Sequence, residues 1–435
     1  MANSVKLGLD MGEDPGASQQ NDVIFALSSG QGRAGVAVIR VSGTSPGFLP
    51  KPVRPRVATL MNFYGIDQVI VIYFKAPHSF NGEDMVEIHC HGGRAIINAI
   101  FAKLCKFGFR IAERGEFLRR AFDNRKFDLV EVDGIRAMID AKTERQRAAA
   151  MRSMSGQDSH ILNGWRNEMI ALSALASARM DYDSTDLPGN IDQRIKDGAM
   201  TLSEKISTAL NSKSCIIENG FNIVLTGKTN VGKSSLFNRL IGENRAIVSE
   251  IHGTTRDVVM AEIDIDGFLV RITDTAGIRE STDEIEKIGI EKTRAELEKA
   301  DLILHVFDTS TNYAPNENGI IVINKSDILK DEIAPKDKHV MVSAKTGAGI
   351  SELMQIVHAR LCEIADTSDD NLTITTRMRA NMANVVTELD KVVQVGIELQ
   401  AEHIMAAADE ISMVLGLIGI EEIYDSVFGQ LCLGK

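Results

Sequence analysis

No run of about 18 apolar residues occurs in the 435-residue chain, so no transmembrane helix is expected. The five cysteines include no Cys-x-x-Cys pair. That argues against a disulfide framework and for a reducing compartment, the cytoplasm. Positive charge is scarce: 48 Lys and Arg stand against 60 Asp and Glu, a formal net charge of −12. This excludes a generally sticky nucleic-acid binder, so contact with RNA requires a local patch or a partner. One patch is present, formed by Lys103, Lys106, Arg110, Arg114, Arg119, Arg120, Arg125 and Lys126; the alternative is a solvated helix face. Internal repeats and low-complexity tracts are missing. Residues 1–20 are polar and acidic without the apolar stretch of a secretory signal, and read as a disordered leader.

What is present is organised around Gly227–Ser235, GKTNVGKSS, which follows the apolar run Phe221–Thr226 and precedes Leu236–Leu240. That is the strand, glycine-rich loop and helix of a phosphate-binding P-loop. Gly227 and Gly232 let the backbone curl around phosphate oxygens, with N–H groups and the positive helix end aimed at the anion. Asn230, Val231, Gly232, Lys233, Ser234 and Ser235 would line the phosphates. Lys233 would reach the β- and γ-phosphates, and Ser234 would offer its hydroxyl to Mg²⁺.

The motifs downstream choose the base. Phe268–Thr273 reads as a strand ending in Asp274-Thr275-Ala276-Gly277. Asp274 is placed to hold a Mg²⁺-bound water, and the Gly277 N–H to sense the γ-phosphate. The strand Ile320–Ile323 runs into Asn324-Lys325-Ser326-Asp327. The Asp327 carboxylate can accept from both the guanine N1–H and its exocyclic amine, which adenine cannot supply together. Val340–Lys345 then supplies a strand and, at Ser343-Ala344-Lys345, a backbone N–H for the guanine carbonyl. Four motifs in this order, each at a strand's carboxyl end, imply a doubly wound sheet binding GTP.

Before this domain, Val23–Leu27, Gly35–Val41, Gln68–Phe74 and Asp84–His89 read as short strands and Ala95–Phe107 as a helix, an α+β domain. The proline-rich stretch Pro46–Pro55 cannot be a regular helix. His89-Cys90-His91 invites a metal reading, but no third ligand is identifiable, and His91 before Gly92-Gly93 is expected to shape a backbone turn. Beyond Arg114 the chain becomes helical: Leu162, Trp165, Met169, Leu172 and Ala176 step by three and four, and Thr201–Ala209 resumes the pattern. It returns at Val385, Leu389, Val392, Val393, Ile404, Ala408, Ile411, Val414 and Leu415, and continues through Ile418, Ile423, Val427 and Leu431. Helices on both sides of a nucleotide-binding domain can share one core. The expected architecture is therefore multidomain, α/β and α+β: a leader over 1–20, an α+β domain over 21–137, a helical domain over 138–219 and 370–435, and a P-loop GTPase domain inserted at 220–369.

Where small signalling GTPases place a water-orienting glutamine after the DxxG glycine, this chain has Ile278, which cannot hydrogen-bond. Asn230, the stretch Ser249-Glu250-Ile251-His252-Gly253-Thr254-Thr255-Arg256, and Glu286 are the candidates to replace it. A monovalent cation held by Asn230 and that stretch would sit where an arginine finger's charge otherwise sits; Arg256 and Arg279 are competing sources of charge.

These residues, with the segments GRAGVAVIRVSG, SFNGEDMVEIHCHGG, RGEFLRRAFDNRKFDLVEVDGI, SEIHGTTRD and CLGK, resemble the MnmE (TrmE) family of tRNA-modification GTPases. The resemblance implies a tetrahydrofolate-binding N-terminal domain that also forms the homodimer. It implies K⁺-activated GTP hydrolysis, and work with an FAD-dependent MnmG-type partner on the wobble uridine of certain tRNAs. Carried over by position, a tetrahydrofolate derivative would meet Arg40, Glu87, Lys126 and Lys435. K⁺ would be held by Asn230, Ser249, Ile251 and Thr254, and Mg²⁺ by Ser234 and Thr255. Catalysis would rest on Glu286 at the water, with Asn230, Lys233 and Gly277. The region after Gly43 is shorter than is usual in the family. The rival reading is a ribosome-assembly RNA-binding GTPase without one-carbon chemistry, but no appended KH-type module is found.

Overall fold

The computed structural model describes residues 22–30, 32–181, 190–211, 219–243, 259–274, 297–308, 319–328, 339–365 and 372–418. These fall into two compact units, 22–132 and 133–418. Among the described residues no helix is long and apolar enough to cross a membrane.

The first unit is a six-stranded sheet of β1 (Ile24–Leu27), β2 (Ala34–Ser42), β3 (Thr59–Phe63), β4 (Asp67–Phe74), β5 (Met85–Gly92) and β6 (Arg110–Ile111), ordered β3-β4-β5-β2-β1-β6. Its pairs are antiparallel except β1 with β6. Strand alternation decides its faces. Val69, Val71 and Tyr73 of β4 are buried while Gln68 and Ile70 point outward. Helix α1 (Arg94–Lys106) closes the inner face, setting Ile100 and Leu104 among Phe25, Ile39, Val41 and Ile88. β3 and β6 are strands that patterning leaves unmarked. Between Pro46 and Pro55 the sole helical turn is the 3₁₀ turn Pro46–Phe48.

Helix α2 (Glu116–Asp123) is tied to the sheet by charge. Arg110 binds Asp22 and Glu116, and Arg120 binds Asp22, Glu83 and Glu116. Lys103 lies over the rings of Tyr64 and Phe107, and Lys126 donates to the Pro77 carbonyl. At least Lys103, Arg110, Arg120 and Lys126 of the basic patch are thus engaged within the unit, so these four form neither an open RNA surface nor a merely solvated face. Burial would raise the Glu116 carboxyl, but Arg110, the Glu113 N–H and Arg120 together hold it below its ordinary value. A depressed carboxylate contributes stability present above its unfolded value and lost as pH falls through the folded one. Glu116→Gln should therefore destabilise this unit by about 1–2 kcal/mol at neutral pH. The gap to wild type should close below about pH 4. Urea titrations followed by hydrogen exchange at the β1 and β6 amides check this; a gap that persists at low pH would contradict it.

The second unit begins with α3 (Leu129–Asp140, which spans the division), α4 (Glu144–Met154), α5 (Gln157–Asp181) and α6 (Ile191–Asn211). A second six-stranded sheet follows: β7 (Phe221–Thr226), β8 (Val259–Ile265), β9 (Phe268–Asp274), β10 (Leu302–Asp308), β11 (Gly319–Asn324) and β12 (His339–Met341). Its order is β12-β11-β10-β7-β9-β8, all parallel except β8 against β9. Both faces are covered, so its central strands are nearly continuous apolar runs, such as Ile320–Ile323. Helices α7 (Lys233–Glu243) and α8 (Ile350–Ala365) belong to this layer, setting Leu236, Leu240, Leu353, Val357 and Leu361 into its core. The chain then returns through α9 (Thr376–Val392) and α10 (Ile397–Leu415). α5 and α6 pack on α9 and α10, so helices from both sides of the sheet in sequence share one bundle.

The helical stripe needs two corrections. Val393 is 37% exposed, because α9 ends one residue earlier and Val393 caps it. The periodicity expected through Ile418 stops at Leu415, where Gly416 adopts φ 77° and donates to the Met413 and Ser412 carbonyls. Ile418 is exposed; Ile423, Val427 and Leu431 lie outside the described residues.

Candidate functional site

The candidate site forms at the carboxyl ends of β7, β9 and β11, which lie in one sheet with parallel register. The loop after β7 leads into α7, whose first residue is Lys233. The Lys233 Nζ donates to the carbonyls of Gly227 and Lys228, both at 2.9 Å, and the side chain is buried. Its ammonium is thus held inside the loop that phosphate oxygens would enter. Ser234 Oγ donates to Asp274 Oδ2 at 2.7 Å, joining the start of α7 to the end of β9. A hydroxyl and a carboxylate converging in this way are the hard oxygen donors that Mg²⁺ takes, so the pair fits that ion.

Asn324 staples three segments together. Its Nδ2 donates to the Val231 carbonyl at 2.9 Å, and its Oδ1 accepts from the Ala344 N–H at 3.0 Å. The approach is close enough that a Cβ on Gly232, at φ 92°, would lie 2.4 Å from Asn324 Nδ2. Lys325 Nζ donates to the Asn230 carbonyl at 2.7 Å and also pairs with Asp308. Asn230 itself sits at φ 65°, a left-handed conformation that asparagine tolerates better than most residues. Ser343, fully buried, donates its hydroxyl to Asp327 Oδ1 at 2.7 Å. That fixes one edge of the carboxylate and leaves the residue's direction set before any base arrives. Lys345 is exposed at the rim, and Ser235 is exposed in the first turn of α7.

Of the nucleotide residues expected from the sequence, the structure brings together Asn230, Val231, Gly232, Lys233, Ser234, Ser235, Asp274, Asn324, Lys325, Asp327, Ser343, Ala344 and Lys345. Ser249 to Thr255, Thr275, Ala276, Gly277 and Glu286 lie outside the described residues. Of the four K⁺ ligands expected, Asn230 alone falls among those described.

A second constellation lies in the first unit. On neighbouring strands β2 and β5, Arg40 Nε donates to Glu87 Oε1 at 2.9 Å, and His89 Nε2 lies 3.3 Å from Glu87 Oε2. The Arg40 guanidinium covers the Phe80 ring, whose centroid lies 5.6 Å from that of Phe127. Lys126, beside Phe127, reaches the Pro77 carbonyl. Of the four folate residues expected from the resemblance, Arg40 and Glu87 therefore pair directly and Lys126 stands next to Phe127 of the same aromatic pair; Lys435 lies outside the described residues. Phe80 and Phe127 join this constellation without having been expected there. Each stands inside a segment that carries the family resemblance, and Phe127 directly follows Lys126, which is the signal the sequence offers for them. The donors and flat aromatic surface fit a pterin carrying an anionic tail.

The His89-Cys90-His91 run takes a different form from the expected turn. All three residues lie in β5, and His91 is pinned by its N–H and Nδ1 to Asp67 at 2.8 Å. Burial would raise the Asp67 carboxyl, but the His91 N–H and ring hold it below its ordinary value. Burial pushes the Cys90 thiol up to about 11, so it is no thiolate at neutral pH. Among the described residues no group of three or more His, Cys, Asp or Glu is arranged to hold a metal ion.

Known proteins share both parts of this chain. The family described as the GTP-binding protein TrmE N-terminus matches residues 23–126, and the MnmE helical domain matches residues 129–432. The tRNA modification GTPase MnmE of Brucella ovis is 36% identical over 441 aligned residues, covering 95% of this chain and 98% of that protein. Its namesake from the Wolbachia of Brugia malayi is 37% identical over 440, covering 95% and 99%. Among solved structures, the G domain of the T. maritima FeoB iron transporter covers 32% of this chain and 98% of that one, at 23% identity and a TM-score of 0.25. With both family matches and these relatives spanning nearly its full length, the chain belongs to the tRNA modification GTPase MnmE family.

Proposed function

We propose that this chain is a K⁺-activated GTPase that, with an FAD-dependent MnmG-type partner, modifies the wobble uridine of tRNAs at C5 using a tetrahydrofolate one-carbon unit. The observation that carries the GTPase part is the convergence of Lys233, Ser234, Asp274, Asn324 and Asp327 at one end of one sheet. Lys233 would exchange two backbone carbonyls for the β- and γ-phosphate oxygens. Ser234 and Asp274 would hold Mg²⁺, directly and through a water, with Thr255 completing its protein ligands. Mg²⁺, when bound, neutralises charge on the phosphate oxygens. Asn324 keeps the P-loop and the Ala344 N–H in register, and Asp327 reads the base. Glu286 and Gly277 would act on the attacking water and the γ-phosphate.

The Arg40–Glu87 pair, beside the aromatic plates of Phe80 and Phe127, supports the folate assignment, with Lys126 and Lys435 meeting the anionic tail. Homodimerisation through the same unit is supported by exposed apolar side chains on the outward face of its sheet. Leu60 and Ile70, cross-strand partners, are 60% and 44% exposed there.

K⁺ activation is proposed because Ile278 cannot orient water while the Asn230 side chain stands in the P-loop. Replacing K⁺ by Na⁺ should slow GTP turnover by at least about tenfold with nucleotide affinity nearly unchanged. Asn230→Ala should remove the response. Because alanine at a left-handed position costs about 1 kcal/mol, Asn230→Gly is the control: it relieves the strain and should lose the K⁺ response equally. Equal rates in the two salts would rule the mechanism out.

A further inference from the structure

Helix α4 touches the β8–β9 hairpin at its start and the segment returning from the sheet at its end. Just before α4, Lys142 Nζ donates to Glu262 Oε2 at 2.5 Å, and Arg271 Nε donates to Glu262 Oε1 at 3.2 Å. The Glu262 side chain is only 7% exposed. Burial alone would raise its carboxyl, and the two cations hold it below its ordinary value. It therefore stays charged, and a buried charge demands its partners. In the first turn of α4, the Arg145 guanidinium lies 3.9 Å from the Phe268 ring centroid, with its stem against Gly267 at the hairpin tip. At the other end of the helix, Arg152 donates to Thr373 Oγ1 at 3.1 Å. Thr373 lies in the segment that carries the chain back to α9.

The hairpin is also the nucleotide site's own strand pair. Glu262 faces Arg271 in register, and three residues further along β9 Asp274 faces Val259. A seven-residue ladder moves as a unit, so whatever repositions Asp274 acts on Glu262, and whatever holds Glu262 acts on Asp274.

We propose that Lys142 is a positioning residue for the nucleotide site: by gripping Glu262 it ties the strand of Asp274 to α4, and through α4 to the helical bundle. The inference rests on the GTPase reading of the site. It makes the bundle a sensor of nucleotide state and, reciprocally, a support for the geometry of Asp274.

The test uses the full chain as wild type, Lys142→Met and Lys142→Arg, each with and without Mg²⁺ and a non-hydrolysable GTP analogue, read by hydrogen–deuterium exchange. Protection of the P-loop peptide should rise on nucleotide addition in all three proteins. Protection across α4 and residues 372–375 should respond to nucleotide in wild type and Lys142→Arg and fail to respond in Lys142→Met. Steady-state hydrolysis should show kcat lowered about fivefold in Lys142→Met with KM for GTP unchanged, recovered by Lys142→Arg. An α4 response in Lys142→Met equal to wild type, or no α4 response in wild type despite P-loop protection, would overturn the coupling. Equal loss of kcat in both variants would reduce Lys142 to a packing contact and overturn it too. A P-loop indifferent to nucleotide in all three would instead overturn the GTPase reading, and the coupling with it.

Discussion

Asp327→Asn should cost this chain at least about a thousandfold in GTP affinity, while affinity for xanthosine triphosphate rises by a comparable factor. Among the described residues of the candidate base site, the Asp327 carboxylate is the group that can accept from two guanine donors at once. Its direction is set by the buried Ser343 hydroxyl, which occupies Oδ1. The amide keeps the shape and that hydrogen bond but turns one acceptor into a donor. Guanine's exocyclic amine then meets an N–H, and two donors face each other. Xanthine carries a carbonyl there, so the new donor finds an acceptor. Asn324 still holds the P-loop to the Ala344 N–H, so phosphate binding should survive, and hydrolysis of xanthosine triphosphate should approach the wild-type GTP rate. Fluorescent-nucleotide titrations check this. ATP competing as well as GTP in the wild type would contradict the base assignment outright.

Glu87→Ala should abolish the one-carbon function while leaving GTP turnover within about twofold of wild type, since the two sites belong to different units. The Glu87 side chain is 14% exposed and accepts from Arg40. In the proposed site it is the carboxylate available to pair with the pterin amine and ring N–H. Truncation removes that recognition and leaves Arg40 without its anion. Affinity for a reduced folate should fall about a hundredfold, roughly 2.7 kcal/mol. Glu87→Gln, which keeps the shape but not the charge, should fall between the two. Deleting Leu433 to Lys435 should weaken folate binding in the same assay. Calorimetric titration across wild type, Glu87→Ala and the truncated chain is the measurement; equal affinities would remove the pocket and leave the GTPase standing.

What can be read ahead of the structure follows from how local each requirement is. Phosphate and guanine recognition need a few residues at fixed offsets from one strand end, so GKTNVGKSS and Asn324-Lys325-Ser326-Asp327 are legible as written. Strands β7, β9, β10 and β11 are legible because both faces of a parallel sheet are buried, so their apolar runs are nearly continuous, broken inside by Asn222, Arg271 and His305. β3 is not, because Leu60 is an apolar residue on the outward face and erases the alternation. β6, at two residues, is too short to carry a pattern. The end of α10 is hidden because Gly416 stops the helix while apolar residues continue beyond it at helical spacing. Ties made across the chain are also out of reach. The Asn324 bond to Val231, the Phe80 ring beneath Arg40 and the Lys142–Glu262 pair each join residues 40 to 120 positions apart, and no local periodicity encodes them. The basic patch misleads for the same reason: Asp22 and Glu83, which neutralise Arg110 and Arg120, are distant in sequence.

The central claim, that this GTPase modifies the wobble uridine of tRNA, is tested most directly by nucleoside analysis of tRNA from cells in which the gene is deleted. The deletion is expected to remove the aminomethyl-type C5 substituents from wobble uridines, with wild type restoring them and Glu87→Ala failing to. Wobble uridines unchanged by the deletion would contradict the account and favour a ribosome-assembly GTPase instead.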